Sequence, residues 1–153
     1  MVYTCNNSED YVNKMYQAIG IHHPHQLDFE EIAARNGLSL YYRSTTSMSF
    51  EDAILLDERL SDEQKWQAFG HELCHALWHA GGQIAMPMSW EVYQEAKADN
   101  FALYVCIPTF MLLNMNLPRY ENQAVWMIQE AFGVEKDFAE KRLHQFLRNL
   151  YNR

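Results

Sequence analysis

The stretch SDEQKWQAFGHELCHALWHAGG, residues 61–82, decides how the rest of the chain is read. Ser61 with Gln64 three residues later has the spacing of a capping box, and Gly81-Gly82 form a stop, so the spacing predicts one long helix between them. Gly70 sits inside that helix at a cost of about 1 kcal/mol against alanine. A reason to keep glycine there is close approach of another segment just before His71.

Within the helix lies HELCH, residues 71–75. Residues four apart share a helix face, one turn apart, so His71 and His75 can aim at one ion. Glu72 is rotated by about 100° from His71. It falls outside that coordination sphere but within reach of a water at the ion, where a general base belongs. The pattern is short enough to arise by coincidence, so its surroundings matter. Trp66, Phe69, Leu73, Ala76, Leu77 and Trp78 make the stretch apolar, and histidines buried there need partners that a metal supplies. His79 is a tempting further ligand, but it stands about 12 Å along the axis from His71. It reads as a structural or pocket-rim histidine.

A catalytic zinc site needs a third protein ligand and one open position. The next helical stretch, SWEVYQEAKADNFALYVCIP (89–108), opens on Ser89 and ends before Pro108. It carries Glu95 and Asp99 on one face. Packed antiparallel, it points Glu95 at the metal, with Glu91 one turn earlier as competitor. Asp99 is then placed to accept a hydrogen bond from a ligand histidine and fix its tautomer. The bland alternative for both acids is a solvated helix face.

Outward from this pair, SEDYVNKMYQAIG (8–20) reads as a helix capped by Ser8 and closed by Gly20. LDFEEIAARNG (27–37) has Asp28 and Glu31 at capping-box spacing and ends at Gly37. LSLYYR (38–43), TSMSF (46–50) and AILLD (53–57) are short and rich in aromatic and branched residues, and read as a small antiparallel sheet. A short helix follows Pro108, and ENQAVWMIQEAFG (121–133) and VEKDFAEKRLHQFLRNLY (134–151) form a final pair around Gly133. The pair has a loose helix-turn-helix look, but with few basic residues it reads as packing. The fold class is α+β, mostly α, in a single domain over 1–153.

The chain of 153 residues has a formal net charge of −8, spread along its length. A phosphate-binding surface needs a basic face, so direct nucleic-acid binding is not expected. An acidic surface also suits a basic protein substrate, although acidic proteins are commonly just soluble. Cys5, Cys74 and Cys106 form no close pair, which fits a reducing compartment. Ser8, Glu9, Asp10, Asn13 and Lys14 do not read as a signal peptide. The longest apolar run, FALYVCIPTFMLL (101–113), is too short to span a bilayer and contains Pro108. The expected location is the cytoplasm, away from membranes.

ILLDERLSDEQKWQAFGHELCHALWH followed by EAKADNFALYVCIP resembles the ImmA/IrrE metallopeptidase family, whose members carry a HELGH-like helix and then an E-x-x-A-(N/D)-x-F-A helix ending in proline. The resemblance covers about residues 27–108, leaving 109–153 as C-terminal helices. It implies a gluzincin-like fold with the sheet beside the HExxH helix, and Zn2+ held by His71, His75 and Glu95 with Glu72 as base. Asp99 falls at the family's Asn/Asp position. Cys74 and Lys97 depart from the usual pattern, but neither is an expected ligand; Cys74 reads as a buried inert thiol, with redox sensitivity as the alternative. The resemblance further implies a zinc endopeptidase that cleaves a protein substrate, a helix-turn-helix repressor of a phage or other mobile element.

If so, Glu72 takes a proton from water attacking a peptide carbonyl and passes it to the leaving amine. AILLD (53–57), read as an edge strand, offers an extended substrate a partner by strand addition. Tyr93, His79 and His144 are candidates for further oxyanion stabilisation. A competing reading is a zinc-containing binding protein that controls a repressor without cutting it. Such a binder has no need of Glu72. A secreted general protease and a closed structural zinc site are disfavoured.

Overall fold

Ile54 and Leu56 alternate along AILLD and are both fully buried, which makes that strand the centre of the sheet. The computed structural model describes residues 3–78 and 88–151, with side chains from 93 onward in the second stretch. His79, the Gly81-Gly82 stop and the side chains of Ser89 and Glu91 lie outside the described residues. The chain divides into two compact units. One is Asp28–Ala102; the other joins the chain up to Leu27 with the chain from Leu103 onward.

The first unit holds α2 (Phe29–Arg35), β1 (Ser39–Arg43), β2 (Met48–Phe50), β3 (Ala53–Asp57), α3 (Asp62–Trp78) and α4 (Met88–Cys106) up to Ala102. The sheet order is β1-β3-β2. β1 runs parallel to β3 and β2 antiparallel to it. The expectation of an antiparallel sheet is therefore corrected to a mixed one, and β3 is central rather than an edge. The physical reason is burial: the most apolar strand gains most from being bonded along both sides and covered by α3. Glu51 and Asp52 close the β2–β3 hairpin, with Glu51 at φ 52°. Register puts Leu40 and Ser49 opposite Ile54, and Tyr42 opposite Leu56, so these share the inward face.

α3 begins as expected. The Gln64 amide donates to Ser61 Oγ at 3.2 Å, and the Ser61 amide donates back to Gln64 Oε1 at 3.1 Å. Trp66 stacks with Phe29 of α2 and with Phe69, which meets Phe29 at a tilt, and the three rings join α3 to α2. Gly70 meets α4 closely: a Cβ built there would lie 2.9 Å from Ala102 Cα. The cap of α2 is Asp28, whose side chain accepts from the Glu30 amide. Glu31 does not close a box but pairs with Arg35 one turn on.

The second unit comprises α1 (Asn7–Ala18), a 3-10 turn (Pro24–Gln26), the last turn of α4, α5 (Thr109–Leu113), α6 (Glu121–Phe132) and α7 (Lys136–Tyr151). α1 is capped by Asn6 in a capping box with Glu9, not by Ser8. Gly133 ends α6 in the left-handed conformation at φ 65°. α7 buries Ala139, Arg142, Leu143 and Phe146, an i, i+3, i+4, i+7 stripe, and packs on α6. Arg142 is fully buried. It donates to Ile107 O at 2.9 Å and Thr109 Oγ1 at 2.7 Å, and lies 4.0 Å from the Glu9 carboxylate. Among the described residues no helix is long and apolar enough to cross a membrane.

Candidate metal centre

The i, i+4 spacing on α3 and the antiparallel return of α4 bring three predicted residues together. One ligand atom each from His71, His75 and Glu95 lies within 4.8 Å of the others. His71 Nε2 is 2.9 Å from Glu95 Oε2, and His75 Nε2 is 2.8 Å from Glu95 Oε1. The two Nε2 atoms are 3.2 Å apart. Asp99, one turn after Glu95, places Oδ1 2.8 Å from His71 Nδ1.

This last contact decides what the cluster can hold. A carboxylate only accepts, so His71 Nδ1 is the donor, and a neutral ring then has a bare lone pair at Nε2. That lone pair faces the acceptor-only Glu95 at 2.9 Å. Two acceptors meet head-on, an arrangement that calls for a cation or a proton between them. The spacing suits a metal. Two nitrogens about 2.0–2.1 Å from a tetrahedral ion lie about 3.3 Å apart, and the observed separation is 3.2 Å. Two imidazoles and one carboxylate are a donor set for zinc with a position left open.

The cluster sits in a cleft of about 480 Å³ lined by His71, Glu72, His75 and Glu95 from the two helices, and by residues 46–49 with Glu51 along β2. Glu72 is buried. Burial raises its carboxyl pKa above the usual value; the neighbouring His71 opposes this, Glu95 adds to it, and a hydrogen bond from Ser49 opposes it. Burial holds the His75 imidazole below its ordinary value, against the pull of Glu95. Burial pushes the Cys74 thiol up to about 12, which marks it as inert rather than reactive.

Two of the three residues considered as further oxyanion partners are not gathered here. Tyr93 is exposed on α4 and does not line the cleft. His144 belongs to the other unit and is hydrogen-bonded to Glu121. His79 is outside the described residues. Ser49 is among the cleft residues that sequence reasoning passed over, with Thr46, Ser47 and Glu51. Its one signal was a polar side chain at an inward position of an otherwise apolar sheet face.

The family model described as the IrrE N-terminal-like domain, Peptidase_M78, matches residues 22–144. The chain belongs to this metallopeptidase family. It is similar to the phage-like element PBSX protein XkdA of Bacillus subtilis (strain 168), with 40% identity over 144 residues covering 92% of this chain and 73% of that protein. It is also similar to the uncharacterized protein YqaB of the same organism, with 36% identity over 154 residues covering 98% of this chain and 90% of that protein.

Proposed function

We propose that the protein is a zinc-dependent endopeptidase of gluzincin type that cuts a helix-turn-helix repressor of a phage or mobile element. The observation that carries the reading is the convergence of His71, His75 and Glu95 with the buried carboxyl of Glu72 lining the same cleft. Membership of a metallopeptidase family and similarity to a protein of a phage-like element support it.

In this reading His71, His75 and Glu95 hold the ion, and Asp99 keeps His71 in the tautomer that presents Nε2. Bound zinc supplies Lewis acidity, acidifying water and polarising a carbonyl oxygen. Glu72 receives the proton as water attacks the peptide carbon and returns it to the leaving nitrogen as the C–N bond breaks. A carboxyl with its pKa raised by burial is suited to that shuttle near neutral pH. An extended substrate segment lies along β2, because β2 borders the cleft and is bonded on one side only. The strand-addition edge is thus β2, not the β3 expected from sequence.

The test mixes the purified protein and zinc with the repressor encoded beside its gene and follows a gel over time, with Glu72→Gln alongside. Discrete fragments from the wild type alone are expected. A stable complex with both forms and no fragments would replace this reading with that of a non-cleaving antirepressor.

A further inference from the structure

β2 borders the metal cleft and is bonded to another strand along one edge only. Its two faces differ. Ser49 shares the inward face with the buried Ile54 and Leu56, the face that packs on α3. Met48 and Phe50 point the other way and are 48% and 71% exposed. They do not stand alone. Register sets Tyr41, Leu55 and Met48 in one row across the three strands, and Phe50 beside Ala53 in the next. Tyr41 is 46% exposed, and Leu55 is partly so. Scattered apolar side chains on a surface are ordinary, but a contiguous row that runs out to a free strand edge is a surface suited to pairing. The charge on this unit is one-sided. Thirteen acidic and five basic residues fall between Asp28 and Ala102, so the whole formal net charge of −8 belongs to it. Glu51 and Asp52, both exposed, bring two of those carboxylates to the hairpin end of β2, and Glu51 lines the cleft. Glu51 holds φ 52°, a turn conformation in which glycine, asparagine and aspartate are usual.

We propose that Met48, Phe50 and Glu51 form the specificity surface of the cleft, and that this surface selects a basic, extended segment carrying two large apolar side chains two residues apart. The proposal rests on the peptidase reading for the cut, and goes beyond it in naming the segment. An added strand lays its backbone along the free edge of β2, and its side chains alternate between the two faces. Those on the outward face come to lie about 5 Å from Met48 and Phe50, and extend the apolar row begun by Tyr41 and Leu55. Successive outward side chains are two residues apart, which matches Met48 and Phe50. The side chain between them turns toward the cleft. A lysine or arginine just past the residue beside Phe50 reaches the carboxylates of Glu51 and Asp52. The negative field of the unit draws such a segment in before contact. The spacing also discriminates between conformations. On a helix, residues two apart point about 200° from each other. An amphipathic helix therefore does not present this pair on one side, and the segment taken is a strand or an extended linker.

The probe is a dye-labelled ten-residue peptide of alternating leucine and threonine with two lysines at one end, made with the lysines at either end in turn. One control peptide regroups the leucines at helical spacing, and another replaces the lysines by glutamates. Binding is read by fluorescence anisotropy on the full chain carrying Glu72→Gln, loaded with zinc, so that turnover does not consume the probe. Cutting is read as kcat and KM with Glu72 in place. The probe is expected to bind, and both control peptides to bind about tenfold more weakly or worse. Phe50→Ser and Met48→Ser each weaken the probe by about tenfold, and Phe50→Leu restores most of the loss. Glu51→Gln narrows the preference for lysine over glutamate. In the active protein Phe50→Ser acts through KM more than through kcat. Trp126→Ser, at an exposed apolar residue of α6, leaves binding unchanged. Zinc content and melting temperature check that each variant is folded. Equal binding of the two leucine spacings overturns the proposal, as does binding unmoved by Phe50→Ser and Met48→Ser, or no binding of the probe at all. A probe that binds in a Phe50-dependent way but is not cut by wild type overturns the peptidase reading and leaves the docking surface standing.

Discussion

Replacing Gly70 by alanine sets two known effects of opposite sign against each other. By helix propensity alone, the change stabilises α3 by about 1 kcal/mol. At this position, however, the new Cβ would lie 2.9 Å from Ala102 Cα, 3.1 Å from its Cβ and 3.3 Å from its carbonyl oxygen. Carbon atoms in contact normally sit about 3.5–4.0 Å apart, so α4 must retreat by about 0.6 Å or more. The obstruction is backbone and cannot swing aside. Overpacking of this kind costs about 1–3 kcal/mol, and the rigid partner argues for the upper part of that range. The net expectation is a loss of about 1–2 kcal/mol, which lowers Tm by about 2–8 °C for a chain of this size. The damage reaches the metal cluster. Gly70 immediately precedes His71, and Glu95 lies two turns from Ala102 on the helix being pushed away. Zinc affinity is expected to fall about tenfold or more, as it does when a ligand's support is disturbed. Thermal melting of the metal-free protein and competition with a chelator measure the two effects. A Gly70→Ala protein that melts higher than wild type and binds zinc equally well would refute the close-packing argument.

Arg142→Ala should be the more damaging change, costing about 3–5 kcal/mol, because it strips a buried cation from beside the buried Glu9. Arg142→Lys should restore little, since a single ammonium nitrogen replaces donors that the guanidinium spreads over Nε, Nη1 and Nη2 to reach Ile107, Gln145 and Thr109; denaturant melts compare them. A thiol reagent at pH 8 should leave Cys74 and Cys106 unmodified until the protein unfolds, because burial holds Cys74 at about 12 and Cys106 well above its usual value. Peptide mapping reads this directly, and native labelling of Cys74 would contradict it. The chelated protein should lose stability as pH falls below about 6.5. His75 is depressed in the fold, so the unfolded chain takes up that proton first, and the stability present above the ordinary imidazole value is lost on descending through the folded one. Melting curves of wild type and His75→Gln test it: an equally steep fall in the variant would assign the effect elsewhere.

Much of the first unit is written in local sequence. Ser61 and Gln64 announce the start of α3 because a capping box is made within one turn. The i, i+4 histidines and Glu95 with Asp99 are legible for the same reason, since helix periodicity fixes which side chains share a face. Gly70 was informative because its cost needed an explanation, and the approach of Ala102 supplies one. What local pattern does not carry is partnership between distant segments. The short, branched and apolar run of AILLD marks a strand but does not say that β1 and β2 take opposite sides of it. Of the short links between the strands, only Glu51–Asp52 makes a hairpin. At α1, Ser8 and Asn6 were both capping residues by type, and the choice fell to Asn6 because Glu9 lies three residues beyond it and can answer. The burial of Arg142 depends on contacts with residues far back in the chain.

The most direct test of the central claim is the zinc content of the purified chain after exhaustive dialysis, measured by elemental analysis for wild type, Glu95→Gln and Glu72→Gln. The account predicts stoichiometric zinc in wild type and in Glu72→Gln, which keeps every ligand, and near-complete loss in Glu95→Gln. Full zinc in Glu95→Gln, or its loss in Glu72→Gln, would contradict the assignment of these two carboxylates to ligand and base.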